Sequence, residues 1–316
     1  MVNENKLKWY HLFFRLKIGP LPKVWFPLVV VTLFSVFVLY LPNYIGSTFL
    51  SIPTFPFTVI GMALAIFFAF RNNAAYDRYW EGRKLWGQLF NLTRNLTTQI
   101  ITLIPATQET QQNLDTEKFK NEPQEVASLI IGYAFALKHL LRNEDYNELA
   151  LILSEEEYKR LVIPGINIPT QILLQIGLKL QKYGKLGWLH PVHLKLMHEN
   201  ITGITNIQGA CERIKTTPVP WIYKTMIYRV SGLYCLLLPF TLVSLAGNLT
   251  PFIVCFLSYV FLALEHIGNE LEDPFGLDPN DLPLDAYTKK IERAVLQQFG
   301  EVFAPDADIP KSMVVT

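Results

Sequence analysis

Charge drops out of this chain in two long stretches, residues 24–70 and 230–264, neither of which contains an Asp, Glu, Lys or Arg. A membrane-spanning helix needs about 20 apolar residues. The first stretch is too long for one span, and LPNYIGSTFLSIPTFP puts turn-forming residues in its middle, so the pattern predicts spans at 24–42 and 55–72. The second stretch breaks at AGNLTP and predicts spans at 226–246 and 251–270. Each stretch is therefore a membrane hairpin, 24–72 and 226–270. Within the second span, GMALAIFFAF sorts into two neighbouring stripes when wound as a helix. Gly61, Ala65 and Ala69 form a small stripe, and Met62, Ile66 and Phe70 a large apolar one. Small residues at every fourth position let membrane helices approach closely. Several copies packed in this way would turn rings of Met, Ile and Phe towards one axis, a hydrophobic constriction of the kind that gates channels. The same pattern also suits an ordinary packed membrane helix.

The flanks give the topology. Lys6, Lys8, Arg15, Lys17 and Lys23 precede the first span, Arg71, Arg78, Arg83 and Lys84 follow the second, and the tips of both hairpins are uncharged. Cationic flanks stay in the cytosol, which places both termini and the long middle segment there. Residues 1–23 are basic and aromatic, suiting an interfacial helix or an arm docked on a cytosolic domain. No small-residue cleavage site follows the first span, which is read as retained rather than as a signal peptide.

Residues 73–225 read as one helical cytosolic domain. The helix of the second span continues to about 104, and residues 105–123 are polar and read as a loop. Helical segments follow near 123–142, 144–152, 154–162 and 169–183, and a long one near 191–215. Ser154-x-x-Glu157 is a capping box, and His190 with Pro191 marks the start of the long helix. Residues 271–316 form an acidic segment, with a short helix near 285–299 and a tail from Ala304 without a predicted element.

Composition agrees with this layout. Of 316 residues, 50% are apolar and only 17% charged, below the roughly 25% of soluble domains. The net charge of +1 gives no polybasic surface for nucleic acid. Cys211, Cys235 and Cys255 have no disulfide or metal spacing and read as small buried apolar residues. Asp77 and Glu81 stand four apart, as a carboxylate pair would, but alternate with Arg78 and Arg83 as an ion-pair belt does. His190, His193 and His198 match no standard metal spacing. The acidic run around Glu270, Asp273, Asp278 and Asp281 is rich enough in oxygen for Ca²⁺ but lacks EF-hand spacing, and an acidic helix end answering the basic stretch 71–84 explains it as well. No nucleophile motif, phosphate-binding glycine loop or charged intramembrane relay is present in the sequence, so no enzyme and no cofactor is expected.

Three segments, FRNNAAYDRYWEGRKLWG at 70–87, NIQGACERIKTTPVPWIY at 206–223 and LEHIGNELEDPFGLDPNDLPLD at 264–285, together resemble the bestrophin family in its bacterial and plant-like branch. Their order and placement against four spans match as well, over roughly residues 8–300. The resemblance implies an all-α integral membrane protein with four transmembrane helices and a helical cytosolic domain, assembled as a homopentameric channel. It places the pore neck on Met62, Ile66 and Phe70, a lower constriction on Val192 after Pro191, and neck-helix packing on Gly61, Ala65 and Ala69. Met62 departs from the stiffer apolar residue usual there. Glu270, Asp273, Asp278 and Asp281 match the region of the Ca²⁺ clasp of animal members, but Leu277, Pro279 and Asn280 interrupt the acidic run, and no metal is carried over. The expected function is passive passage of monovalent ions, leaning to chloride or bicarbonate. A monovalent-cation channel of the same fold and a membrane-anchored binding or regulatory protein are the alternatives. The expected partners are further copies of the chain, the lipid bilayer and the ions, in a bacterial inner (plasma) membrane ahead of a thylakoid or other organelle membrane.

Overall fold

Every regular element of the described residues is helical. A computed structural model describes residues 19–41, 53–104 and 116–303, with the side chains of 116–121 left aside. Most of the 1–23 segment, the first hairpin tip at 42–52, the heart of the predicted 105–123 loop and the tail from 304 lie outside the described residues.

The helices are α1 (Leu21–Tyr40), α2 (Thr54–Leu103), α3 (Thr116–Arg142), α4 (Glu155–Leu161), α5 (Ile168–Lys185), α6 (Pro191–Thr216), α7 (Trp221–Ala246), α8 (Thr250–Glu272) and α9 (Leu284–Gln298). Among the described residues three helical stretches are long and apolar enough to cross a membrane: Leu21–Tyr40, Thr54–Leu103 and Trp221–Glu272. The last is two helices. Gly247, at φ +49°, stops α7 in a conformation that glycine adopts at no steric cost, and a 3₁₀ turn at Gly247–Leu249 leads into α8. All four predicted spans thus fall on helices.

The chain divides into two compact units. One holds the described residues up to Tyr79 together with Pro218–Pro274. Here α1, α7 and α8 pack on one another around Val31, Cys235, Leu238 and Val254, flanked by Tyr234, Leu242, Leu257 and Phe261. The other holds Trp80–Thr217 and the described residues from Phe275. Its centre is α3, buried almost all round from Val126 to His139, against which α5, α6 and α9 pack. VASLIIGYAFALKHLL is apolar on every face, which is what a central helix requires. The helix α2 belongs to both units without a break, so its backbone carries no mark of the division.

Several predicted starts are seen in detail. Ser154 Oγ accepts from the Glu157 N–H at 3.3 Å and opens α4. His190 Nδ1 accepts from the Val192 N–H at 3.3 Å and opens α6. Two expectations need correction. The helix α3 starts at Thr116 rather than near 123, running through Pro123. A proline removes one backbone donor and is best tolerated in a helix's first turn, yet here the helix also continues before it. The segment 144–152 is only a 3₁₀ turn, Asn147–Leu151. It is held by Leu149, which is fully buried, and not by a longer helical repeat.

Buried charge fixes α9 to α3. Lys138 and Arg142 have side chains 3% exposed. Lys138 Nζ donates to Glu148 at 2.6 Å and to Asp285 at 2.9 Å, and Arg142 Nη1 donates to Asp285 at 2.5 Å. Asp285 sits in the first turn of α9, where the helix dipole also favours its charge. Burial alone would raise the Asp285 carboxyl, but the hydrogen bonds from Lys138 and Arg142 outweigh it and hold the group below the usual aspartate range. The partners of Asp285 are therefore two cations on α3.

Candidate functional site

In the unit built from α1, α7, α8 and the first part of α2, the face of α2 that packs inward is Phe57, Gly61, Leu64, Phe68, Arg71 and Ala75, at alternating spacings of four and three. Phe57 and Gly61 meet Tyr234 of α7, and Phe68 meets Phe261 of α8 with ring centroids 5.9 Å apart. A Cβ at position 61 would come 2.7 Å from Tyr234 Oη, so only glycine allows this approach. At 100° per residue, Ile66 points about 180° from the centre of the packed face. Met62, Ile66 and Phe70 are accordingly 65%, 52% and 66% exposed in the single chain, an uncharged apolar stripe along the side of α2 away from its own bundle. Ala65 and Ala69 lie between the two faces and are exposed; of the small stripe, Gly61 alone packs within the chain.

The stripe ends at Arg71, which is 2% exposed although it stands beside exposed Phe70. Arg71 Nη2 donates to Asn269 Oδ1 at 2.5 Å and Nη1 donates to the Glu265 carbonyl at 3.3 Å. The nearest carboxylate oxygen, Glu272 Oε2, is 3.8 Å away and is shared with Lys224 at 3.9 Å. Glu272 Oε1 accepts from the Val219 N–H at 3.2 Å, and Arg78 Nε donates to the Glu272 carbonyl at 3.1 Å. The next residue on α2, Asn72, donates to the Leu264 carbonyl at 3.2 Å. A Cβ on Gly268 would lie 2.4 Å from Asn72 Oδ1 and 3.3 Å from Arg71 Nη1, so this glycine makes room for the polar knot. The basic residues after the second span are thus answered, at Arg71 and Arg78, by the acidic end of α8. Sequence reasoning placed Arg71 at the end of the span but missed Asn269 and Gly268. The signal available was a Gly-Asn pair one turn before the acidic end of α8.

In the other unit Val192 is 58% exposed in the first turn of α6, one residue after Pro191. The rings of His190 and His193 flank it, 5.8 Å apart. The four acidic candidates have separate surroundings. Glu270 pairs with Lys23 at 3.9 Å and stands 3.3 Å from His266 Nε2. Asp273 is exposed, and Asp281 is buried, accepting the Asp278 N–H at 2.7 Å. Among the described residues no group of three or more His, Cys, Asp or Glu side chains is placed to hold a metal ion. Burial pushes the Cys211 thiol up to about 12, leaving it unreactive in the core.

Chemically, an apolar stripe of this kind offers no ligand to an ion. Where several line one passage, they set its width and its wetting rather than the sign of what passes.

Comparison with known proteins places these features in a family context. A sequence model of the bacterial/fungal bestrophin proteins matches residues 1–297. A voltage-dependent anion channel-forming protein of Ralstonia nicotianae is 33% identical over 316 residues, covering 100% of both chains. A protein of the same description from Escherichia coli is 34% identical over 311 residues, 98% of each chain. The crystal structure of a bacterial bestrophin homologue from Klebsiella pneumoniae shares the fold with a TM-score of 0.81 and 32% identity, over 89% of this chain and 100% of that one.

Proposed function

The chain belongs to the bacterial/fungal bestrophin family, and from that premise we propose that it forms a homopentameric channel passing monovalent anions such as chloride or bicarbonate. In this reading Met62, Ile66 and Phe70 of each copy line the neck, Ala65 and Ala69 let neighbouring neck helices approach, Gly61, expected to join them, packs instead on Tyr234 of its own chain, and Val192 forms a lower constriction. Both termini and the 73–225 domain lie in the cytosol of a bacterium whose inner membrane holds the hairpins 24–72 and 226–270. No catalytic step and no cofactor is needed.

The observation that carries the reading is the stripe itself. Three large apolar side chains point away from their own bundle on the one span that continues into a long polar helix. A lipid-facing role would explain exposure alone. The neck role also accounts for two alanines beside the stripe, where close packing of a second copy needs small residues. The preference for anions follows the Ralstonia and Escherichia relatives, which are anion channel-forming proteins, since the neck carries no charge to choose a sign.

Planar-bilayer recording of the purified protein tests this. Ile66→Ala and Phe70→Ala should each raise single-channel conductance, and unchanged currents would remove the neck assignment. In asymmetric NaCl the reversal potential should move towards the chloride equilibrium potential; movement towards that of sodium would replace the anion reading with a cation channel. Native mass spectrometry of the solubilised protein should give a mass five times that of the chain.

A further inference from the structure

A buried guanidinium holds α2 to α8 immediately beside the last residue of the apolar stripe. We propose that Arg71 is the positioning residue of the constriction: its clamp on Glu265, Asn269 and Glu272 of α8 fixes the angle at which Phe70 is presented and makes conduction sensitive to movement of α8. The proposal rests on the reading of Met62, Ile66 and Phe70 as the neck.

The geometry is specific. Glu265, Asn269 and Glu272 are four and three residues apart, hence on one face of α8, and Gly268 lies in the same patch, which is why Asn72 and Arg71 come so close. The guanidinium bonds two successive turns of α8 at once, through a carbonyl at 265 and a side-chain oxygen at 269. Sliding α2 by one residue moves it about 1.5 Å, enough to take the 3.3 Å contact with the Glu265 carbonyl outside hydrogen-bond range. The planar fork of arginine accepts only a narrow set of approach angles. A buried guanidinium also has no low-energy alternative, because leaving its bonds strands a cation away from water. Among the described residues Arg71 Nε and Asn72 Oδ1, both buried, have no hydrogen-bond partner, so the knot is polarised and incompletely satisfied rather than inert. Phe70 and Arg71 are consecutive and therefore point about 100° apart on the same turn. What holds one holds the other.

The second end of the clamp links it to the rest of the unit. Glu272, the last residue of α8, receives the Val219 N–H just before α7 and stands near Lys224 in the first turn of α7. A shift of α8 along its axis would thus be felt at Arg71, and through it at Phe70, before any of the apolar contacts higher in the bundle had to change.

The test uses full-length purified channel in planar bilayers, with four variants: Asn269→Ala, Arg71→Gln, Phe70→Ala, and Asn269→Ala combined with Phe70→Ala. Asn269→Ala leaves the cation in place and removes one acceptor, so it reports on the clamp even if Arg71→Gln does not fold. Asn269→Ala should alter single-channel conductance or open probability by at least about twofold, the lower end of coupling within one hydrogen-bond network. The same change made in the Phe70→Ala channel should have no such effect. Equal effects in both backgrounds would overturn the clamp while leaving the neck intact. So would variants that reduce only the yield of channel and leave its unit conductance unchanged, since that is what a purely structural role gives. If Phe70→Ala itself leaves conductance unaltered, the neck reading fails and the clamp falls with it, a result distinct from the other two.

Discussion

Asp285 is the residue on which the most buried charge depends, since it accepts from both Lys138 and Arg142. Removing one partner of a buried ion pair costs about 3–5 kcal/mol, because the other charge is left stranded. Asp285→Ala should therefore lower stability by about 3 kcal/mol or more, most of it from Arg142, while Lys138 keeps Glu148. Denaturant unfolding in mild detergent would measure this. At position 61 the constraint is space. Gly61→Ala should destabilise by about 1–3 kcal/mol through overpacking on Tyr234, and Tyr234→Phe, which removes the Oη that a Cβ would meet, should restore part of the loss. These residues differ in how far the sequence disclosed them. The capping roles of Ser154 and His190 were legible because a cap and its helix are neighbours in the chain. The Lys138–Asp285 pair spans 147 residues, and no local spacing announces a contact of that kind.

The helices were legible where periodicity or a lack of charge ran long enough to outweigh single residues. Three of the four spans were placed within a turn of their observed starts, and the helix of the third begins five residues before the predicted 226, at Trp221. Short elements were not, because one buried residue such as Leu149 decides them, and burial is a property of the fold rather than of the segment. For α9 the pairing on α3 implies a pH response. Asp285 and Glu148 are held below their ordinary values, against burial, by hydrogen bonds from Lys138 and, at Asp285, Arg142. A carboxyl depressed in the folded state contributes stability at neutral pH that is lost as pH falls below the ordinary carboxylate value of about 4. His139 adds to the same trend. Its pKa is lowered by burial and by Lys138, with Glu148 and Glu144 opposing, so the unfolded chain takes up its proton first as pH falls below the ordinary histidine range. Protonation of Asp285 weakens the α3–α9 contact, and protonation of His139 lowers the stability of the folded chain; both act on acidification and neither at alkaline pH. Limited proteolysis near residues 284–298 should accelerate as pH is lowered towards 4 and stay constant from pH 7 to 9; Asp285→Asn should lose most of that dependence.

At the scale of the whole molecule, α2 exceeds what a membrane requires. Fifty residues of α-helix are about 75 Å long, against a hydrocarbon core of about 30 Å. At a tilt of about 20° about 32 Å of the helix lies in the hydrocarbon core, and more than half of it therefore lies outside. The composition showed this only indirectly, as a polar helical stretch following an apolar one. The clamp at Arg71 has one further consequence, for the order in which the protein is made. Its partner Glu265 lies 194 residues later in the chain and Asn269 lies 198 later. At a synthesis rate of about 5–20 residues per second, the first hairpin waits roughly 10–40 seconds before α8 leaves the ribosome. During that interval the cation at the end of α2 is solvated at the membrane surface. In the proposed reading the neck helix enters the bilayer early, and the bonds that join it to α8 at Arg71 form only when one of the last segments of the chain arrives.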